Sequence, residues 1–324
     1  MNVYMDIEFK NWILGGVIRE ARMLTENDIN IRYISTSRRK QPFSYVVSRY
    51  LKKIKVNKHD LIVNQGTLNY FLSAGMISKA DLPGIRCHFT HDTEENLTKS
   101  GLIEILKSIR QVLVLNKSDY SMLRNLGVEE KRLRIIYGAV DRKLFHPARN
   151  SGYQDFVLIT GDCKGRKNPG KVLEVVSYNP DLNFIICGRY WKKFISKLET
   201  QYQNLTVFDF SMEQNALLMR EASAYMTLSL QEGGPFPVLE ALASGTPVLS
   251  TPVGWVPEIV NQQNGRIVAH PSSVKEISDQ LRECLAMKEH TWADDLLNGK
   301  YTWQELSAEF FEIPNEELGG RYEI

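Results

Sequence analysis

Two carboxylates separated by a glycine-rich turn are the residues of this chain best suited to chemistry. Glu232 follows a short apolar run that is typical of a buried strand, and Glu240 lies eight positions later in a predicted helix. Two glycines and two prolines between them suit a tight turn that leads into a first helical turn. The pattern indicates a site for an anionic, hydroxyl-rich ligand, because helix amides stabilise phosphate and carboxylates accept hydrogen bonds from sugar hydroxyls.

The alternative interpretation makes Glu232 and Glu240 two solvated surface acids, since charged residues mostly face water. The helix that carries Glu240 is predicted to have an apolar face and to end at Gly245, a residue type suited to a left-handed helix cap. The choice between the two interpretations depends on the residues that surround the pair.

The length and composition of the chain favour two domains of ordinary size. At 324 residues, with 43% apolar residues, the chain can bury two full cores. A net charge of +2 is too small to indicate nucleic acid as a partner. The four cysteines lie far apart, which favours reduced thiols in a cytosolic protein. The sequence has neither an apolar leader nor an apolar run of bilayer length, so we expect a soluble, cytoplasmic protein.

Short apolar runs alternate with helical patterns along the chain, which predicts an α/β fold with parallel sheets. A polar stretch at 147–152 is the predicted linker, and it gives two Rossmann-like domains, 1–149 and 150–300, followed by a helix and tail at 301–324. The predicted strands are Asn2–Asp6, 29–35, 60–64, 85–91, 112–116, 134–137, 156–161, Asn183–Cys187, Leu205–Phe208, 224–229 and 247–250.

The segment that begins at Glu232 continues as a longer motif. E-x7-E overlaps E-A-x-A-x-G-x-P-V, and a second strand and a Gly-x-x-x-Glu turn follow. This order resembles the signature of retaining glycosyltransferases of family 4. A passage at 112–147 and Trp303 resemble the same family, whereas the first 80 residues resemble it only thinly. The matching motif positions are Glu232, Glu240, Ala241, Ala243, Gly245, Pro247, Val248, Gly254 and Glu258.

The resemblance implies the GT-B fold, in which two doubly wound Rossmann-like domains with parallel sheets face an interdomain cleft. Residues 1–149 would bind the acceptor, 150–300 would bind the nucleotide sugar, and the helix in 301–324 would cross back onto the first domain. The implied activity is retaining transfer of a sugar from a UDP- or GDP-sugar to an acceptor hydroxyl, in glycan, glycolipid or glycoconjugate biosynthesis. The acceptor would attack from the side of the leaving group, and its proton would pass to the donor phosphate.

A leaving diphosphate requires positive charge, and the D-x-D spacing typical of a metal site is absent from the sequence. We therefore expect a metal-independent enzyme that requires no cofactor and binds the diphosphate with Lys164, Arg166 and Lys167. In the family, a Gly-Arg dipeptide ends the preceding strand and a lysine follows it. Lys167 matches the lysine, but Asp162 stands at the arginine position, and Arg166 or Lys164 is expected to replace that arginine. A solvated basic loop is the alternative.

The resemblance also assigns roles to the motif around the two acids. Glu240 would accept hydrogen bonds from the ribose. Glu232 would bind a donor-sugar hydroxyl and stabilise oxocarbenium character, which makes it a catalytic candidate together with Lys167. The backbone of Gly234, Pro235 and Phe236 would face the sugar or the phosphate.

Further candidates lie outside these loops. Gly15 and Gly16 follow the first strand and resemble a glycine loop that approaches the diphosphate. His91 lies at a predicted strand end and is the third catalytic candidate, because a neutral imidazole there can hydrogen-bond the donor. The neighbouring His88 is interpreted as structural. Arg189, after a strand of the second half, is expected near the nucleotide base.

The segment from Ser37 to Lys58 carries eight cations and no acid, with apolar residues at helical spacing. One interpretation is a helix with its apolar side on the first sheet and its cations in water. The other is a cationic face that attracts an anionic membrane or a lipid-linked acceptor, which would place the protein on the inner membrane face.

Two other functions stay open. A nucleotide-sugar epimerase or a sugar phosphorylase can be built on the same fold, and it would act without an acceptor or with inorganic phosphate. A non-catalytic sugar-nucleotide-binding protein is the third possibility, and Asp162 is the residue that favours it.

Overall fold

The structure is a computed structural model. Contacts divide the chain into two units, Met1–Gly138 with Trp303–Ile324, and Ala139–Thr302. The predicted domain boundary at 149 falls on residues outside the described ranges. Those ranges are 2–6, 30–34, 61–63, 84–86, 98, 101–147, 155–198, 200–208, 212–287, 293 and 300–312.

Strands and helices alternate along the described residues. The strands are β1 (Asn2–Asp6), β2 (Asn30–Ile34), β3 (Leu61–Val63), β4 (Gly84–Arg86), β5 (Val112–Val114), β6 (Leu133–Ile135), β7 (Phe156–Thr160), β8 (Asn183–Cys187), β9 (Leu205–Phe208), β10 (Ala224–Thr227), β11 (Val248–Ser250) and β12 (Gly265–Ile267). The helices are α1 (Leu102–Ser108), α2 (Lys117–Asn125), α3 (Pro169–Tyr178), α4 (Trp191–Ile195), α5 (Met212–Glu221), α6 (Phe236–Ala243), α7 (Val256–Ile259), α8 (Val274–Leu285) and α9 (Trp303–Glu312).

Each unit contains one parallel sheet, so the α/β prediction is confirmed. The first sheet has the order β2-β1-β3-β4-β5-β6, and the second has the order β12-β11-β10-β7-β8-β9. In the second sheet the chain starts at the centre with β7, runs outward to β9, and resumes on the other side of β7 with β10. The strand order reverses between β7 and β10. In doubly wound sheets, ligands bind outside the carboxyl ends of the strands at such a point.

The predicted strands agree with the structure except at one edge. Three of them, β1, β8 and β9, have the predicted bounds, and the others differ by a few residues. β12 was not predicted. Its three residues include Arg266 between a glycine and an isoleucine, so no apolar run indicates it. Pairing with β11 makes it a strand.

The core of the second unit lies between its sheet and the helices α3 and α8. Helix α8 begins with a capping box, in which Ser273 and Glu276 exchange side-chain and backbone hydrogen bonds. Its residues Ile277, Leu281 and Cys284 are buried in the same cluster as the β7 and β8 side chains. Among the helices of the described ranges, none has the length and apolarity needed to cross a bilayer.

Helix α6 begins and ends as the sequence predicts. Pro235 is its N-cap, and the helix gives way at Ser244 to Gly245, whose φ of 70° is the left-handed conformation that favours glycine. The predicted apolar face is buried. Because the helix is short and enclosed, the polar Glu240 that it carries is buried as well, with 3% of its surface exposed.

The loops that follow β7 and β8 contact each other through their backbones. Gly161 donates its amide to the Cys187 carbonyl at 2.9 Å, and the Trp191 indole donates to the Gly161 carbonyl at 2.8 Å. A Cβ atom on Gly188 would lie 2.0 Å from the Gly161 carbonyl oxygen. Only a glycine at 188 allows this approach, which fixes the positions of both loops.

We expect Gly188→Ala to destabilise the protein by about 1–3 kcal/mol, because the added methyl group forces the two loops apart. Gly170→Ala is the matched control. Its Cβ would meet nothing within 4 Å, and it lies in the first turn of α3. The control should be neutral or stabilising by up to about 1 kcal/mol. Urea unfolding of the two variants measures the difference, and equal midpoints would contradict the inferred contact.

Candidate functional site

Two loops meet at the carboxyl edge of the second sheet, where its strand order reverses. The loop after β7 (161–168) and the loop after β10 (228–235) are joined through their backbones, because Leu230 donates its amide to the Arg166 carbonyl at 2.7 Å. The Arg166 guanidinium donates in return to the Gln231 carbonyl at 3.3 Å. The predicted acid Glu232 and the predicted cations of the first loop are therefore brought together.

Glu232 is the anion that both cations share. Its Oε2 lies 2.5 Å from Arg166 Nη1, and its Oε1 lies 2.6 Å from Lys167 Nζ. The Glu232 side chain is only 9% exposed, and those of Arg166 and Lys167 are 25% and 13% exposed. A buried charge of this kind is stable only when paired and hydrogen-bonded, so the three side chains form one unit. The solvated-acid interpretation of Glu232 is wrong.

A line of buried hydroxyl groups supports this carboxylate from inside the sheet. Ser229 Oγ donates to Glu232 Oε1 at 3.1 Å, and Thr227 Oγ1 lies 3.1 Å from Ser229 Oγ. Deeper in the sheet, the Tyr225 hydroxyl lies 3.2 Å from Thr160 Oγ1. Tyr225, Thr227 and Ser229 lie in or directly after β10, and Thr160 ends β7, so these two adjacent strands orient the acid.

The electrostatics keep Glu232 ionised. Burial alone would raise its pKa, but the charges and hydrogen bonds of Lys167 and Arg166 hold the pKa below its ordinary value of 4.5. Burial raises the pKa of the Tyr225 hydroxyl, and the Glu232 charge adds to that increase. A carboxylate with a lowered pKa is an acceptor of hydrogen bonds rather than a proton donor at neutral pH.

Glu240 is also a buried acid rather than a surface one. Asn215 Nδ2, from α5, donates to Glu240 Oε2 at 3.4 Å, and Asn215 is 4% exposed. The Asn215 Oδ1 atom is buried and has no hydrogen-bond partner within the described part of the chain. The sequence gives no sign of Asn215, because it lies 25 residues from Glu240.

The turn between the two acids rests on an indole ring. A Cβ atom on Gly234 would lie 2.1 Å from the Trp255 ring, and the Phe236 ring packs edge-on against the same indole at 5.5 Å. Gly254, with a φ of 53°, approaches the Gly233 carbonyl so closely that a Cβ atom would lie 2.7 Å from it. Trp255 and Gly254 thus set the position of the predicted ligand-facing backbone at 234–236.

Asp162 has a partner that the sequence did not indicate. Arg189, which follows β8, binds it in a bidentate manner, with Nε at 3.1 Å from Oδ1 and Nη2 at 2.5 Å from Oδ2. Burial alone would raise the pKa of Asp162, but the hydrogen bonds and charge of Arg189, with a smaller effect of Lys164, hold it below its ordinary value. The carboxylate at the arginine position of the family motif is therefore neutralised by an arginine from the neighbouring loop.

The predicted site residues fall into two groups. Those of the second unit are described and lie at one edge of its sheet. Three predicted residues of the first unit lie outside the described residues, so their roles stay predictions; they are Gly15, Gly16 and His91. The basic segment 37–58 also lies outside them.

With this geometry established, comparison with known proteins identifies the segment that carries it. Residues 141–293 match the family model described as glycosyl transferases group 1. The matched residues make up somewhat less than half of the chain. They include both acids, the basic loop and Arg189.

Two curated relatives that are similar to this chain are sugar transferases. The MMP alpha-(1->4)-mannosyltransferase of Mycolicibacterium hassiacum is 26% identical over 231 residues, which are 64% of this chain and 56% of the relative. The lipopolysaccharide glucosyltransferase WaaG of Escherichia coli is 24% identical over 58% of this chain and 57% of the relative. The chain thus spans somewhat more than half the length of these two relatives.

A solved structure extends the likeness over nearly the whole chain. The Anabaena protein HepE, in complex with UDP-glucose, superposes with a TM-score of 0.69 at 14% identity, covering 96% of this chain and 98% of that one. At this identity the likeness shows the fold, which is GT-B.

We expect the ion pairs of Glu232 to make the free energy of unfolding depend on pH. A folded-state pKa below the ordinary value of 4.5 means that the contribution is present above that value and is lost as the pH falls through the folded pKa. Glu232→Gln should lower the free energy of unfolding by about 1.5–3 kcal/mol at pH 7, since the charged hydrogen bonds are lost. Below pH 4.5 the two proteins should converge.

Urea unfolding between pH 7 and pH 3 measures this convergence. Glu174→Gln is the matched control, because Glu174 pairs with Lys171 at 2.5 Å but is 55% exposed. An exposed pair contributes about 0–1 kcal/mol, so the control should follow the unsubstituted protein at every pH. A constant difference between Glu232→Gln and the unsubstituted protein across the pH range would contradict the assignment.

Proposed function

We propose that this chain is a retaining glycosyltransferase that moves a sugar from a nucleotide diphosphate sugar to an acceptor hydroxyl. The observation that carries the proposal is the charged cluster of Arg166, Lys167 and Glu232 at the point where the strand order of the second sheet reverses. There, two cations face one carboxylate, and one positive charge in excess remains to bind an anion. The names of the sugar-transferring relatives and the UDP-glucose bound to HepE support the same assignment.

The proposed binding mode assigns the diphosphate to the basic loop. Lys167 and Arg166 stabilise the negative charge that develops on the leaving group, with Lys164 beside them. The amides of Gly234 and Phe236, at the beginning of α6, add the positive end of a helix dipole. Pro235 has no amide proton and shapes the turn.

The two acids bind the hydroxyl groups of the donor. Glu240 accepts hydrogen bonds from the ribose, and Asn215 orients its carboxylate. Glu232 accepts a hydrogen bond from the donor sugar and stabilises positive charge at its anomeric carbon, while it continues to orient Lys167. Because Glu232 is held ionised, it has the charge that an oxocarbenium-like transition state requires.

The remaining roles rest on the resemblance to family 4. Gly15, Gly16 and His91 would complete the donor site, the acceptor hydroxyl would attack from the leaving-group side, and no metal would be required. Acceptors of glycan, glycolipid or glycoconjugate type agree with the lipopolysaccharide glucosyltransferase among the relatives. The binding-protein alternative loses its main support, because Arg189 neutralises the Asp162 charge that favoured it.

A nucleotide-sugar donor should raise the melting temperature of the protein, since a ligand that binds only the folded state stabilises it. We expect one member of a panel of UDP-, GDP-, ADP- and dTDP-sugars to give a shift that corresponds to about 2.7 kcal/mol at 100 times its Kd. A thermal-shift assay on the full chain measures it. The control is the free nucleoside, which lacks the diphosphate and should shift the melting temperature far less. No shift with any member at millimolar concentration would contradict the proposal.

The two acids should separate binding from turnover. Glu240→Gln is expected to weaken donor binding by about 10- to 100-fold, because a charge-assisted hydrogen bond contributes about 1.5–3 kcal/mol. Glu232→Gln should leave donor affinity undiminished, since it removes an anion from beside the two cations. It should lower kcat by about 10- to 100-fold through the loss of transition-state stabilisation.

Calorimetry of donor binding and product assays with the identified donor measure the two effects. Glu174→Gln again serves as the control, because its exposed carboxylate pairs with Lys171 on the surface of α3. If both variants kept full affinity and full turnover, the site would lie elsewhere. A changed sugar nucleotide without an acceptor would instead favour the epimerase alternative.

A further inference from the structure

The ion pair between Asp162 and Arg189 occupies the same edge of the sheet as the charged cluster. Asp162 follows β7 and Arg189 follows β8, which is the neighbour of β7 on the side away from β10. Lys167 approaches the residue before Asp162, since a Cβ atom on Gly161 would lie 3.4 Å from Lys167 Nζ. Lys167 therefore lies next to Gly161, and Arg189 is bound to the residue that follows it.

Three contacts hold Arg189 in place. Its carbonyl accepts a hydrogen bond from the Cys163 amide at 2.9 Å, and its own amide lies 3.3 Å from Asp162 Oδ1. Its guanidinium lies 5.7 Å from the centroid of the Tyr190 ring, while Tyr190 itself has a φ of 72°. A non-glycine residue in this conformation is strained, and such strain is concentrated at ligand sites. The Arg189 side chain is nevertheless 49% exposed.

The balance of charged side chains at this edge of the sheet indicates a role for Arg189. The loops after β7, β8 and β10 place four cations, Lys164, Arg166, Lys167 and Arg189, beside the two carboxylates of Asp162 and Glu232. The excess of two positive charges balances the two negative charges of a diphosphate diester. Without Arg189 the excess would be one.

We propose that Arg189 binds the diphosphate of the donor and that Asp162 is the positioning residue that orients its guanidinium toward that group. This proposal rests on the proposed function and adds a cation from β8 to the site. The carboxylate engages the Nε and Nη2 side of the guanidinium, which fixes its plane before a ligand arrives. A planar guanidinium fixed in this way binds phosphate oxygens with little further loss of side-chain freedom.

The chain contains a matched control for this pair. Arg282 binds Asp181 in the same bidentate manner, with Nη1 at 3.0 Å from Oδ2 and Nη2 at 2.9 Å from Oδ1. The Arg282 side chain is 48% exposed, which is almost the same fraction as for Arg189. Asp181 precedes β8, so this second pair lies at the opposite, amino edge of the sheet, away from the charged cluster.

The test uses inorganic pyrophosphate as the probe, titrated calorimetrically into the full chain at low salt. Arg189→Gln should weaken pyrophosphate binding by about 10-fold or more, because one charge-assisted contact is lost. Arg189→Lys should recover part of this affinity, since it restores the charge without the planar fork. Arg282→Gln should change the Kd by less than about twofold. Melting temperatures of the variants check that each is folded.

Asp162→Asn tests the positioning role. In the unsubstituted background it should weaken pyrophosphate binding, because Arg189 loses its orientation. In the Arg189→Gln background there is no guanidinium to orient. Asp162→Asn then only removes the repulsion between the carboxylate and pyrophosphate, so it should strengthen binding. A purely structural role of Asp162 predicts the same direction in both backgrounds.

The outcomes separate this inference from the proposed function. Unchanged pyrophosphate affinity in Arg189→Gln, with binding by the unsubstituted protein, overturns the role of Arg189 and leaves the glycosyltransferase proposal intact. Stronger binding by Asp162→Asn in the unsubstituted background overturns the positioning role. If the unsubstituted protein binds neither pyrophosphate nor any nucleotide sugar, both the inference and the proposed function are wrong.

Discussion

The shared ion pairs of Glu232 with Arg166 and Lys167 are the interaction on which the rest of the site depends. One buried carboxylate joins the loop after β7 to the loop after β10, and these are the two strands between which the sheet reverses its order. Removing the carboxylate would leave two cations without a counter-charge in a nearly closed environment. The same pairs keep the acid ionised and hold both cations where an anion can approach. Folding energetics and ligand chemistry thus constrain the same three side chains.

The other acids of this region are also bound by residues from neighbouring elements. Asp162 is neutralised by Arg189 from the next loop, and Glu240 accepts a hydrogen bond from Asn215 on a neighbouring helix. Each acid is therefore fixed by a residue distant in sequence. Acids and cations held in this way need little rearrangement when a charged ligand binds, which is the condition for strong electrostatic stabilisation in a buried site.

Much of the second unit could be predicted from its sequence, because its buried parallel strands consist of short apolar runs. The same holds for α6, whose prolines and terminal glycine mark its ends. The edge strand β12 was not predictable in this way, since Arg266 interrupts it and only pairing with β11 makes it a strand. The sequence also singled out Glu232 and Lys167, which the structure brings into contact, while their chemical roles stay predictions. Local patterns could not predict the bond between Asp162 and Arg189, because it depends on how β7 and β8 are aligned across 27 positions. The burial of Glu240 follows from the enclosure of α6, which no local pattern expresses.

The close backbone approaches at Gly188 and Gly254 restrict how this protein can diversify. Each of these residues lies against a peptide carbonyl of a neighbouring loop, at Gly161 and at Gly233. In a library of random variants selected for ligand binding, substitutions at Gly188 and Gly254 would be rare, whichever ligand the selection used. A new ligand preference would therefore have to come from substitutions of the side chains that border these loops, while the backbone of the loops stays the same.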